Sequence, residues 1–154
     1  MEMLLTFATA AEVDADFISV LVWGAIVVVV TIIVLAAATK ESPSAVSTSS
    51  AVKIGCFAFL LLAIVSYRAS YGSFIAADIG ADEARLSFAG SLYHPVILKR
   101  EQIGEVLFGY PGKGEAKSCY LEFVTTSGEH YRSATTAGKA CQDYRAQIKA
   151  LMKL

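Results

Sequence analysis

The stretch SLYHPVILKREQIGEVLFGY, residues 91–110, holds the side chains whose types could do chemistry: His94 beside Pro95, then Lys99, Arg100 and Glu101 in a row. A histidine can act as a general base, but a base needs an orienting partner and a substrate cleft. The sequence nominates neither, and a histidine at a sheet edge is the plainer reading of His94. The other histidine is His130, and the cysteines are Cys56, Cys119 and Cys141. Without CxxC or HxxxH spacing these five residues compose no zinc site. GYPGKG, residues 109–114, has the glycines and lysine of a phosphate loop but lacks the following Ser/Thr and helix, so it reads as a turn. No nucleophile motif of the G-x-S-x-G kind occurs. The sequence therefore nominates no catalytic residue, no metal and no cofactor, and an enzyme is the least favoured class. What remains is a cationic set on or beside turns, Lys99, Arg100, Lys113 and Lys117. It is the candidate interaction surface, for a protein partner or for anionic lipid headgroups, with solvated turn charges as the bland alternative. The dense Lys/Arg cluster that headgroup binding wants is missing.

The elements that position this set begin with two apolar blocks. Of the 154 residues, 55% are hydrophobic, above the ~45–50% of soluble domains, and the excess lies before residue 68. Phe17 to Thr39 is 23 residues without a charge, long enough as a helix to cross ~30 Å of hydrocarbon. Its Val and Ile residues would favour a strand in water, but a lone strand cannot satisfy its backbone in lipid. The second block, Ile54 to Tyr67, has 14 uncharged residues between Lys53 and Arg68. It reaches spanning length if those two side chains snorkel; a re-entrant segment is the alternative. Expected, then, are an acidic N-terminal tail (1–16), a transmembrane helix (17–39), a Ser-rich loop (40–53), a second transmembrane helix (54–71) and a module (72–154). Small residues such as Gly24 and Ala25 would let the helices approach closely.

Residues 68–154 carry eleven Lys/Arg against nine Asp/Glu, a balance of +2. That is too mild for a nucleic-acid partner. Lys and Arg near the spans are tied, Lys40 and Lys53 in the loop against Arg68 and Arg85 on the other side, so the positive-inside rule gives no orientation. Cys119 and Cys141 could pair in an oxidising compartment, though their spacing does not establish it.

Beyond Arg68 the period changes from helical to alternating. GSFIAADI, EARLSFAG, LYHPVIL, IGEVLFGY, SCYLEFVTT and HYRSAT read as about six short strands. Pro95 marks its strand as an edge or a bulge. KREQ and PGKGEAK are the turns. In IGEVLFGY, strict alternation puts Ile103, Glu105, Leu107 and Gly109 on one face and Val106, Phe108 and Tyr110 on the other. At the end, Ala137, Ala140, Cys141, Tyr144, Ile148, Leu151 and Met152 form one helical stripe, with Thr135 or Thr136 as N-cap.

The ARLSF strand, the run HPVILKREQIGEVLF, the YLEFVTTSGEHY hairpin and the closing amphipathic helix together resemble the bacterial pleckstrin-homology-like (PH-like) domain that follows paired membrane helices in small membrane proteins. The resemblance covers roughly Gly72 to Leu154 and lies in the order of elements. It implies a membrane helical hairpin plus an α+β domain, a curled antiparallel sheet or open barrel closed by a C-terminal helix. It also implies a bacterial inner-membrane location with the C-terminal domain in the cytoplasm. The function expected is that of a membrane-anchored binding module. Such a protein would be an interaction or accessory subunit of a membrane complex, its partners the lipid bilayer and either a membrane protein or a second copy of itself. A lipid-sensing module is the alternative. The module is expected to fold without the spans.

Overall fold

The computed structural model of the chain describes residues 2–39, 48–111, 118–138 and 140–154. They form two compact units, one built from Met1–Val13 with Tyr71–Leu154, the other from Asp14–Ser70.

The second unit is a helical hairpin. Helix α1 runs Ala10–Thr39 and α2 runs Thr48–Tyr71. At 1.5 Å per residue they measure about 45 and 36 Å, and both are long and apolar enough to cross a membrane. α1 starts seven residues before Phe17, because Thr9 and Glu12 cap it reciprocally. The Thr9 N–H and hydroxyl donate to Glu12 Oε2 at 2.7 and 2.9 Å, and the Glu12 N–H donates to Thr9 Oγ1 at 3.3 Å. A T-x-x-E ahead of an apolar run is the capping-box signature, so Glu12, Asp14 and Asp16 belong to a helix and not to a tail. α2 likewise begins inside the expected 40–53 loop, of which 40–47 lies outside the described residues.

The two helices run antiparallel. Phe17 meets Tyr67 edge-on at 5.8 Å between ring centroids, Gly24 faces Leu62, and Gly55 faces Val28 and Ile32. A Cβ placed on Gly24 would meet only the tip of the Leu62 side chain, which can turn aside, so the seam excludes larger residues than alanine. Gly24→Leu is therefore expected to destabilise the pair by about 1–3 kcal/mol. The check is a lowered thermal midpoint of the full chain in detergent; an unchanged midpoint would show that the close approach contributes nothing. Away from this seam the hairpin is apolar and exposed. Trp23, Val27, Ile33, Ile54, Phe57 and Val65 each keep more than 60% of their surface. Continuous exposed apolar surface of this kind marks a membrane or an interaction face.

The first unit is α+β. Strands β1 (Met3–Thr6), β2 (Phe74–Ile79), β3 (Glu83–Phe88) and β4 (Val96–Lys99) form one antiparallel sheet in that order. A single 3-10 turn, Arg100–Gln102, leads into the second sheet, β5 (Ile103–Gly109), β6 (Ser118–Thr125) and β7 (His130–Arg132), with β8 (Thr136–Ala137) paired to β6. The sheets meet where the Ala134 N–H donates to the Phe74 carbonyl at 2.7 Å, beside a parallel bridge between Phe74 and Ser133. They are not closed into a barrel. Helix α3, Ala140–Met152, packs on β5 and β6.

The N-terminal residues expected as a tail thus contain a strand of this unit. Met3 pairs with Ile79 and Thr6 with Ala76. Leu5 and Phe7 are buried while Leu4 is 71% exposed, the alternation of a half-buried strand. Phe7 reaches furthest. Its ring lies edge-on to Phe74 at 5.5 Å and to Tyr144 of α3 at 6.2 Å. The hairpin is therefore inserted between two hydrogen-bonded neighbours, β1 and β2, and a boundary at residue 72 cuts an edge strand off the sheet.

Three further details refine the expected elements. β4 is an edge strand that starts just after Pro95, which leaves His94 and Pro95 outside it. In β5 the register shifts between Ile103 and Glu105, two residues opposing one across Gly104. Such a bulge breaks strict alternation, so Ile103 and Val106 are both buried on the core side rather than on opposite faces. α3 begins after the expected N-caps, because Thr136 and Ala137 are held as β8 against Cys119 and Ser118. Of the stripe read from the sequence, Ala137 falls in β8 and is exposed, while within α3 Cys141, Ile148 and Met152 are fully buried, with Tyr144 and Leu151 packed at the margin. Arg145 pins the helix to β5 by donating from Nε to the Val106 carbonyl at 2.9 Å. Cys119 of β6 and Cys141 of α3 form a disulfide, Cα–Cα 6.0 Å, with both residues fully buried.

Candidate interaction surface

Lys99 ends β4 and Arg100 opens the 3-10 turn. The turn is closed locally by Gln102, whose side-chain oxygen accepts the Lys99 N–H at 2.9 Å. It is held from the β2–β3 turn by the Asp82 carbonyl, which accepts the Arg100 N–H at 2.8 Å, and from the turn after β6 by the Thr126 N–H, which donates to the Gln102 carbonyl at 2.9 Å. The Lys99, Arg100 and Glu101 side chains are thereby presented to solvent on a fixed backbone. Asp82, Lys99, Arg100, Glu101 and Leu154 line a surface groove of about 560 Å³.

Arg100 is not wholly free for a partner. Its Nη2 donates to the Lys153 carbonyl at 3.0 Å. That carbonyl belongs to the residue that ends α3 in the left-handed region, φ 53°. Arg100 therefore also fixes the end of the helix beside the groove. Lys113 and Lys117, the other two candidates, lie outside the described residues.

The remaining flagged residues lie apart. His94 is exposed ahead of β4 and does not line the groove. His130 sits on the outer face of the second sheet with Nδ1 3.0 Å from Glu122 Oε1. Beside that pair, the Arg132 guanidinium lies 3.5 Å from the Tyr120 ring centroid, a cation–π contact. Burial and the neighbouring Glu129 raise the Tyr131 hydroxyl above its ordinary range. Among the described residues, no three His, Cys, Asp or Glu converge to hold a metal ion.

Reading the sequence alone missed Asp82 and Leu154. Each reaches the groove through long-range pairing, Asp82 through the β2–β3 turn and Leu154 through the seating of α3, and no local signal marks either. Set against known proteins, the sequence matches no family model, no curated protein and no solved structure.

Proposed function

We propose that the protein is an integral membrane protein whose sheet unit works by contact, as an interaction or accessory subunit of a membrane complex, and not by catalysis. The observation that carries this reading is the mixed charge of the groove at the 99–101 turn. Lys99 and Arg100 stand with Asp82 and Glu101 around one cavity, two charges of each sign on a rigid backbone. Such a surface complements a protein face that also presents both signs, and charge patterning of this kind gives specificity and register. Self-association of the anchored chain is one form of the same reading. The exposed apolar hairpin supports membrane anchoring, with α1 and α2 as the spans. The PH-like reading of the fold is supported by element order: two antiparallel sheets joined at the turn, then a C-terminal helix across β5 and β6.

Recognition of anionic lipid headgroups is the second reading. Lys99 and Arg100 favour it, but the two carboxylates beside them repel a phosphate. Reversal at Lys99 and Arg100 separates the two. The double variant K99E/R100E is expected to lose the protein that co-purifies with the full chain in mild detergent, and to bind anionic liposomes as the parent does. The thermal midpoint is expected to shift little, since surface changes cost about 0.5 kcal/mol or less, plus whatever the Arg100–Lys153 hydrogen bond contributes. K99E alone avoids that bond. Loss of liposome binding with partner recovery intact would favour the lipid reading, and unfolding of K99E would make this charge structural.

A further inference from the structure

We propose that the sheet unit lies on the oxidising, non-cytosolic face of the membrane, with the 40–47 connector in the cytosol. The inference rests on reading α1 and α2 as spans, and it reverses the side that the PH-like resemblance implies. Its ground is the Cys119–Cys141 bond. These are the only cysteines of the sheet unit, since Cys56 lies in the hairpin. They are brought together across 22 residues by the seating of α3 on β6, and both are fully buried. Disulfides form and persist in oxidising compartments and are rare in the cytosol.

The charge beside the spans is level between the two sides. Lys40 and Lys53 flank the connector. On the other side Arg68 stands in the last turn of α2. Arg85, which evens the count along the sequence, lies in β3, paired across the sheet with Asp78 and Ile97. Arg85 lies 14 residues past Tyr71, the end of α2, close enough to count among the flanking cations. Two lysines stand against two arginines, so the charge count is level and does not oppose this side.

Bond formation requires an oxidant. A disulfide-carrying thiol oxidoreductase of the compartment would supply it by exchange. One Cys thiolate attacks the oxidant's disulfide to give a mixed disulfide, and the second Cys thiolate then displaces the oxidant's remaining sulfur. The two thiols lose two protons and two electrons in total, and the oxidant's disulfide leaves as a dithiol. Because both sulfurs are buried in the folded unit, exchange must precede the seating of α3, and soluble reductant cannot reach the bond afterwards.

The test uses the full chain in sealed cells, in three measurements. An alkaline carbonate wash first checks the spans themselves. Next, acid-trapped protein is denatured and treated with a bulky maleimide with or without prior reduction. One modified thiol (Cys56) is expected without reductant and three after it. Finally, Ser91→Cys or Ser49→Cys is introduced into a Cys56→Ala background, both positions being exposed, and an impermeant maleimide is added outside. Labelling of Ser91→Cys and not of Ser49→Cys is expected. Three free thiols without reductant, or labelling of Ser49→Cys alone, would overturn the orientation while leaving the spanning reading intact. Release by the carbonate wash would instead overturn the spanning reading, and the orientation with it.

Discussion

Residues 72–154 expressed alone are expected to show no cooperative thermal transition. The same residues joined to Met1–Thr9 through a short Gly/Ser linker are expected to melt as one unit. The fragment that begins at residue 72 keeps seven of the eight described strands and α3, but it lacks β1. Without β1, the edge of β2 from Ala76 to Ile79 loses its partner, and the core loses Leu5 and Phe7, both under 10% exposed. Burying a side chain of this size contributes about 1.5–3 kcal/mol. Two such losses and an open strand edge are a large share of the roughly 5–15 kcal/mol by which a domain is stable. A linker can replace the hairpin because the chain enters and leaves at adjacent points: the N–H groups of Phe7 and Ala8 both point to the Ile75 carbonyl, at 2.8 and 3.4 Å. Circular dichroism of the two proteins decides the matter. A cooperative melt of the shorter one would show that β1 is dispensable.

Ile148→Asp is expected to abolish the cooperative melt of the sheet unit outright. Ile148 is fully buried on the face of α3 that covers the second sheet, between Cys141 and Met152. An unpaired charge there costs about 3–5 kcal/mol, and the lost apolar contact adds to it. Leu151, one turn along the same stripe, is only partly buried, so Leu151→Asp should cost distinctly less. The comparison is informative because the disulfide holds the first turn of α3 to β6. Charge at Ile148 therefore frees the rest of the helix without releasing its start. Midpoints of the two variants that coincide would mean that α3 is not seated as described.

The parts of this architecture legible from the sequence are those written in local periodicity. β6 alternates cleanly, with Cys119, Leu121 and Phe123 inward and Tyr120, Glu122 and Val124 less buried, so its strand and its faces both follow from the pattern. The α3 stripe is equally plain. Other features are set by partners far along the chain. Met3, Leu5 and Phe7 alternate with Leu4 and Thr6, yet five residues are too few to read as a strand when the partner strand lies beyond two long helices. The bulge at Gly104 depends on what β6 presents opposite it, and without it Ile103 falls on the wrong face. β8 intercepts Thr136 because Cys119 is there to pair with it. Thr9-x-x-Glu12 was legible as a cap, but the acidic residues around it suggested a tail. Of the candidate surface, the basic turn was legible, and the carboxylate of Asp82 that changes its character was not.

The insertion of the hairpin between β1 and β2 also has a consequence for biogenesis. Thr6 leaves the ribosome 70 residues ahead of its partner Ala76, and at roughly 5–20 residues per second the first strand waits several seconds for the second. On the proposed reading of α1 and α2 as spans, both helices must enter the bilayer during that interval. The two strands meet only if the helices have crossed as a pair, since a single crossing would strand β1 and β2 in different compartments. The sheet would then lack its edge, and Phe74 would lose its edge-on contact with Phe7. Completion of the sheet is thus conditional on correct insertion, and a misinserted chain would display an unfinished domain to the quality-control proteases of whichever compartment it reached.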